Sequence, residues 1–259
     1  RKNCFRHRQF DSNYYRRILF IIFANFWLYM RCFLIIIISV FTLQLTQAQT
    51  YEIGLFAGGS NFIGDVGSTY YINPKQPVFG GVFKWNRSPR HSFRVSLLYS
   101  ELIGDDKKSH DPRRKERGYS FNNHIIEASA GIEFTFWEFN LHSDKTSSAP
   151  YLYTGITVAK HDNFHFSNSG AFINDDTSSF AYGIPMVLGY KTQIARNFIL
   201  AGEIGARYTF SDEIDGSVPD DKETIDQFAF GNVNNNDWYV FTGLTLTYTF
   251  GETPCYCLF

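Results

Sequence analysis

Six ionisable residues sit where a charged side chain is costly. Glu52, Arg94, Glu127, Glu133, Glu203 and Arg207 lie inside segments otherwise made of aromatic, aliphatic and small residues, each in phase with Gly, Ser or Thr. Carboxylates and guanidiniums on one face of extended chain can form buried, bidentate ion pairs. The alternative chemistry for such a face is a narrow proton or ion path. A second candidate group is Cys255 and Cys257, in the closing "PCYCLF". Cysteines two apart close only a strained ring, two thiolates leave Zn²⁺ short of four ligands, and intermolecular pairing is the natural alternative. No metal, cofactor or small-molecule substrate is expected.

Two loops carry charge without a recognisable motif. "DDKKSHDPRRKER" (105–117) has six basic residues and reads as a solvated loop, with lipopolysaccharide phosphates as the alternative ligand. "SDEIDGSVPDDKETIDQ" (211–227) is acidic through Asp212, Glu213, Asp215, Asp220, Asp221 and Glu223, but its spacing matches no EF-hand loop. His110, His142, His161 and His165 fall in loops or at their edges, and no GxSxG, HExxH or Gly-rich phosphate loop is present. The expectation is a protein that is not an enzyme.

The elements that position these residues are strands. Phe and Tyr contribute 43 of the 259 residues, and period-2 alternation dominates from Tyr51 onward. Eight segments show it: 51–58, 77–85, 93–100, 124–137, 151–160, 180–191, 198–210 and 238–250, the second with ambiguous phase. Several reach the 9–11 residues that a tilted strand needs to cross a bilayer. One face is aromatic and aliphatic; the other is small and sparsely charged, which suits lipid outside and a crowded interior inside. The connections span 18, 7, 23, 13, 19, 6 and 27 residues, alternating long and short. The fold predicted is an all-β, eight-stranded antiparallel transmembrane up-and-down β-barrel over 49–250. Long loops would be extracellular, and both termini periplasmic. Phe250 closes the last strand as "YTF"; Tyr248 and Phe250 suit an interfacial aromatic belt and a barrel insertion signal alike.

The first 48 residues differ in kind. They hold seven basic residues against one acid, Asp11. "MRCFLIIIISVFTLQLTQA" (30–48) reads as a signal peptide, with Arg31 in the n-region and a Thr46-x-Ala48 cleavage site. Residues 1–29 are then upstream sequence that is not translated, the mature chain starts at Gln49, and 251–259 form a periplasmic tail. The competing reading is a transmembrane anchor over 18–43, which places Arg31 mid-membrane at a cost of ~2.5–3.5 kcal/mol. Removing the leader leaves 17 basic and 24 acidic residues, a net charge of −7, which excludes general nucleic-acid binding. It also leaves Cys255 and Cys257 as the only cysteines, since Cys4 and Cys32 depart.

Three stretches carry a resemblance: "YEIGLFAGGSNFIGDV", "GEIGARYTFSDEIDG" and "YTFGETPCYC". Over about residues 49–257 the chain resembles the PorG family, small outer-membrane barrels of the type IX secretion system of Bacteroidetes. The resemblance implies a non-enzymatic part of a secretion and gliding machinery, set in outer-membrane lipid and associated with a periplasmic ring of PorK and PorN. It makes Cys255 and Cys257 candidates for a disulfide tether to that ring. The alternative is a general small outer-membrane barrel with a membrane-stabilising or narrow-channel role.

Overall fold

A computed structural model describes residues 50–251, apart from 69, 141–145, 168, 220–221 and 233–235, and apart from the side chains of 222–224. The leader, its cleavage site, His142, Asp220, Asp221, the Glu223 side chain, Cys255 and Cys257 lie outside the described residues.

Eight strands follow the alternation: β1 (Thr50–Ile63), β2 (Gln76–Asn86), β3 (His91–Asp105), β4 (Ser120–Thr135), β5 (Ser148–Phe166), β6 (Phe172–Ala195), β7 (Phe198–Thr209) and β8 (Trp238–Gly251). Each pairs antiparallel with the next, and β1 pairs with β8 from Thr50↔Gly251 to Ile63↔Trp238, closing the barrel. Closure leaves the wall without a free edge along its paired length, so each strand's backbone polar groups find partners in its neighbours. Among the described residues no helix is long and apolar enough to cross a membrane.

The turns at 87–90, 136–147 and 196–197 share one end of the barrel with Thr50 and Gly251. The connections at 64–75, 106–119, 167–171 and 210–237 lie at the opposite end, called here the loop end. The strict length alternation expected from the sequence does not hold. Residues 161–179 are mainly strand: β5 and β6 run on together as a hairpin joined by the five-residue turn 167–171. The turn-end connection 136–147 is as long as the loop-end connection 64–75. Polar residues in 161–179 hid the strand because His161, Asn163 and His165 take buried positions beside Phe164 and Phe166. His161 and His165, expected at loop edges, therefore stand in β5 with both rings buried.

The basic loop is also structured. It forms a 3₁₀ turn, Asp106–Lys108, and a short helix α1, Pro112–Arg117, capped by Asp111 accepting from the Arg113 N–H. Gly118 ends α1 at φ 70°, a left-handed position that favours glycine. A second short helix, α2 (Lys222–Phe228), lies in the 210–237 connection.

Candidate functional site

The barrel wall separates two chemistries. Outward positions are apolar and aromatic over successive strands: Leu55, Phe79, Leu97, Ile156, Leu188 and Leu244 are all well exposed. No charged side chain faces outward over 51–57, 93–99, 126–136, 180–190, 198–210 or 238–250. Phe93, Phe198, Tyr248 and Phe250 rim the belt at the turn end, while Tyr99, Phe180 and Phe210 rim it at the loop end. Exposed apolar surface of this extent is matched to hydrocarbon rather than water. Tyr248 and Phe250 stand on this outward face, and the Phe250 ring stacks on Tyr51 at 5.8 Å between centroids.

Inside, most of the charge is gathered in the turn-end half, with the Glu127–Arg207 pair farther up the barrel. Arg94 forks onto Glu203 through two bonds of 2.7 Å, and the Tyr151 hydroxyl donates to the same carboxylate at 2.5 Å. Glu133 lies 2.7 Å from Lys84, 2.8 Å from Lys191 and 3.9 Å from Arg94. Glu127 binds Arg207 at 3.0 Å and accepts from the Tyr239 hydroxyl at 2.6 Å. Glu52 is held by Thr247 and Asn86, at 2.9 and 2.8 Å. Aromatic rings cover the cations: Arg94 sits 4.7 Å from the Tyr153 ring and Arg207 4.4 Å from Phe241.

All six charged residues picked out from the sequence thus point inward. Five of them bond or approach one another, and Glu52 bonds to neutral groups instead. Sequence reasoning missed Lys84 and Lys191, each 2% exposed, and the tyrosines that complete the network. Lys191 was in principle findable: it keeps the inward phase of Val187 and Gly189. Lys84 was hidden because both phases of β2 are apolar, Val78 and Val82 inward against Phe79 and Phe83 outward. With the two lysines added, four carboxylates face four cations: Glu52, Glu127, Glu133 and Glu203 against Lys84, Arg94, Lys191 and Arg207. The interior is formally neutral, as a volume shielded from water requires.

Above this layer, toward the loop end, an apolar cluster lies among buried polar residues such as Asn123, His161 and Asn163. Phe56, Leu98, Leu102, Phe121, Ile125 and Phe241 belong to one buried cluster that Phe164, Phe166 and Ile214 extend. Glycines make room for the larger rings: a Cβ on Gly189 would meet the Tyr151 ring at 2.3 Å. The ionisable groups of the charged layer are ion-paired, apart from Glu52, which Thr247 and Asn86 hold.

The loop end is held by polar ties. Arg117 donates to the buried Asp106 at 2.8 Å and to the Asp65 carbonyl at 2.8 Å. Arg114 donates to the Gly64 and Gly67 carbonyls. These two of the six basic residues are therefore spent within the protein. In the acidic loop, Asp215 is buried and accepts from the N–H groups of Asp65, Val66 and Ser217. Burial raises its carboxyl, and burial with Asp215 and Asp212 nearby raises that of Asp237 well above the usual range. Asp212 is pushed up to about 7, by burial first and then by Asp215, Asp65 and Glu213. Among the described residues no three His, Cys, Asp or Glu side chains are placed to hold a metal ion.

No curated protein matches the chain. Among solved structures, the attachment invasion locus protein Ail of Yersinia pestis is 13% identical, with a TM-score of 0.41 over 78% of this chain and 99% of that one. The N-terminal β-barrel domain of Pseudomonas aeruginosa OprF is 13% identical, with a TM-score of 0.39 over 79% and 98%. A major outer membrane protein of Thermus thermophilus is 14% identical, with a TM-score of 0.41 over 78% and 100%. A family model matches residues 31–259, and the chain belongs to that family, described as a domain of unknown function, DUF6089.

Proposed function

We propose that this protein is a non-enzymatic outer-membrane barrel that works through its surfaces rather than through a lumen. One observation carries the reading: a wall apolar outside encloses an interior of buried side chains in which four carboxylates face four cations. Such a barrel is a rigid membrane anchor, with its loop end and its turn end as the parts left to meet partners. Outward aromatic residues at both rims, Tyr248 and Phe250 among them, would seat it at the two membrane interfaces.

The finer reading is an anchor for a periplasmic ring of PorK and PorN type in a type IX secretion and gliding machinery. It is supported by the three stretches that resemble PorG, and by β8 ending at Gly251 on the same end as the turns 87–90 and 196–197. In that reading the turn end faces the periplasm, and Cys255 or Cys257 forms a disulfide with a ring protein. Affinity capture of the tagged chain from membranes, followed by mass spectrometry, tests it. Co-purifying ring proteins, and a high-mass adduct on non-reducing gels that a Cys255→Ser/Cys257→Ser variant lacks, are the expected results. Capture of the barrel alone, with secretion intact in a deletion strain, refutes the secretion role. A steady bilayer conductance would instead favour the narrow-channel alternative.

A further inference from the structure

At the loop end β7 stops at Thr209 while β6 continues upward as half of the protruding hairpin. This mismatch leaves a notch in the outer wall, a cavity of about 410 Å³. Phe180, Tyr182 and Phe210 form its barrel side, and Phe210 donates its N–H to the Tyr182 carbonyl at 2.7 Å, fixing the register. All three rings are more than half exposed on the outward face. Ser211, Asp212, Glu213, Val218 and Asn236 form the other side. The Asn236 amide is committed to the Tyr208 hydroxyl at 2.9 Å. Both oxygens of Asp212 are buried and meet no hydrogen-bond partner among the described residues.

A carboxylate in that position lacks a cation, and the surroundings select which kind. Aromatic faces attract organic ammonium groups, whereas Ca²⁺ demands six to eight oxygens that these walls do not offer. The notch sits where the apolar belt meets the polar cap, so a tail can run down the belt while a head stays at the loop. We propose that the notch binds the ammonium head of a membrane amphiphile, with Asp212 as counter-ion and Phe180, Tyr182 and Phe210 as its aromatic wall. This rests on the reading that the outward face contacts lipid.

The groups facing Asp212 are Asp215, Asp65 and Glu213, all acidic, with Asp237 in the same cluster. Burial first, and these acids second, hold its proton on up to about pH 7. Ammonium binding therefore competes with that proton and strengthens as pH rises through 7. The test is calorimetric titration of dodecylamine, below its micelle concentration, into the full chain in a neutral detergent. Dodecanol serves as the uncharged control. One saturable site per chain is expected, bound about tenfold more tightly at pH 8 than at pH 5.5 and at least tenfold more tightly than dodecanol. Asp212→Asn should abolish the pH dependence and weaken dodecylamine binding at pH 8 to the dodecanol level. Tyr182→Leu should weaken binding severalfold while keeping the pH dependence. Equal binding of dodecanol, or an unchanged Asp212→Asn variant, overturns the site. Resistance of each variant to unfolding by detergent alone reports the barrel separately, so a failure of the lipid-facing reading is distinguished from a failure of the notch.

Discussion

Glu133 is the residue on which the interior's charge balance turns, and its replacement by Gln isolates charge from shape. The carboxylate is fully buried between Lys84 and Lys191, at 2.7 and 2.8 Å, with Arg94 beyond. Gln keeps the volume and one acceptor oxygen but leaves two buried ammoniums without an anion, since Glu203 is already engaged by Arg94. Removing one partner of a buried pair costs about 3–5 kcal/mol, and Glu133→Gln is expected to lose that much. Arg90 and Glu138 supply the control: their pair is 3.3 Å apart with side chains 48% and 72% exposed. Glu138→Gln should change stability by no more than ~0.5 kcal/mol. Adding Lys84→Met to Glu133→Gln removes one charge of each sign, leaves three carboxylates facing three cations, and should recover part of that loss. Urea titration of the vesicle-refolded barrel, followed by tryptophan emission, measures all three. A loss below ~1 kcal/mol for Glu133→Gln would refute a closed, dry interior and favour a hydrated path through it.

Three further outcomes follow from the cap and the wall. Gly189→Val should destabilise by ~1–3 kcal/mol in the same titration, because the added atoms occupy the Tyr151 ring's place and break its bond to Glu203. Arg117→Ala removes charged hydrogen bonds to Asp106 and leaves that acid buried, with an expected cost of ~1.5–3 kcal/mol. Protease cleavage within 64–75 and 106–119 should rise while the strands stay intact. Asp212 has a raised carboxyl pKa in the folded state, so its contribution is present below the unfolded value and lost as pH climbs through about 7. Hydrogen exchange of the 210–218 amides, corrected for intrinsic pH dependence, should show less protection at pH 8.5 than at pH 5.5, and Asp212→Asn should reduce that difference.

Strand number, strand order and the sidedness of Glu52, Arg94, Glu127, Glu133, Glu203 and Arg207 were legible in the sequence, because a barrel wall imposes a strict period of two. Register was not, since it depends on partners far along the chain. Lys84 stayed hidden because β2 packs valine inward and phenylalanine outward, so hydropathy carries no phase there. The hairpin of β5 and β6 reads as a loop in the sequence because polar residues such as His161 and Asn163 take its buried positions. The apolar cluster of the upper interior was equally invisible: Phe121, Phe164 and Ile214 meet only after closure. Asp212, one acid among seven in its loop, gains its meaning from Asp65 and from the end of β7, neither of which the loop's own spacing reveals.

The interior pairs have a bearing on assembly. Arg94 of β3 finds Glu203 only when β7 arrives 109 residues later, and Glu127 of β4 waits for Arg207 and for Tyr239 of β8. A sheet of the first five strands would carry Glu127 into the bilayer without its cation, and Arg94 with only Glu133 at 3.9 Å, a carboxylate Lys84 already engages; a bare buried ion costs several kcal/mol. Stepwise insertion, strand by strand, is thereby penalised. The last two strands act as a checkpoint: a chain truncated before β7 should stall at the membrane surface, and committed entry should coincide with ring closure.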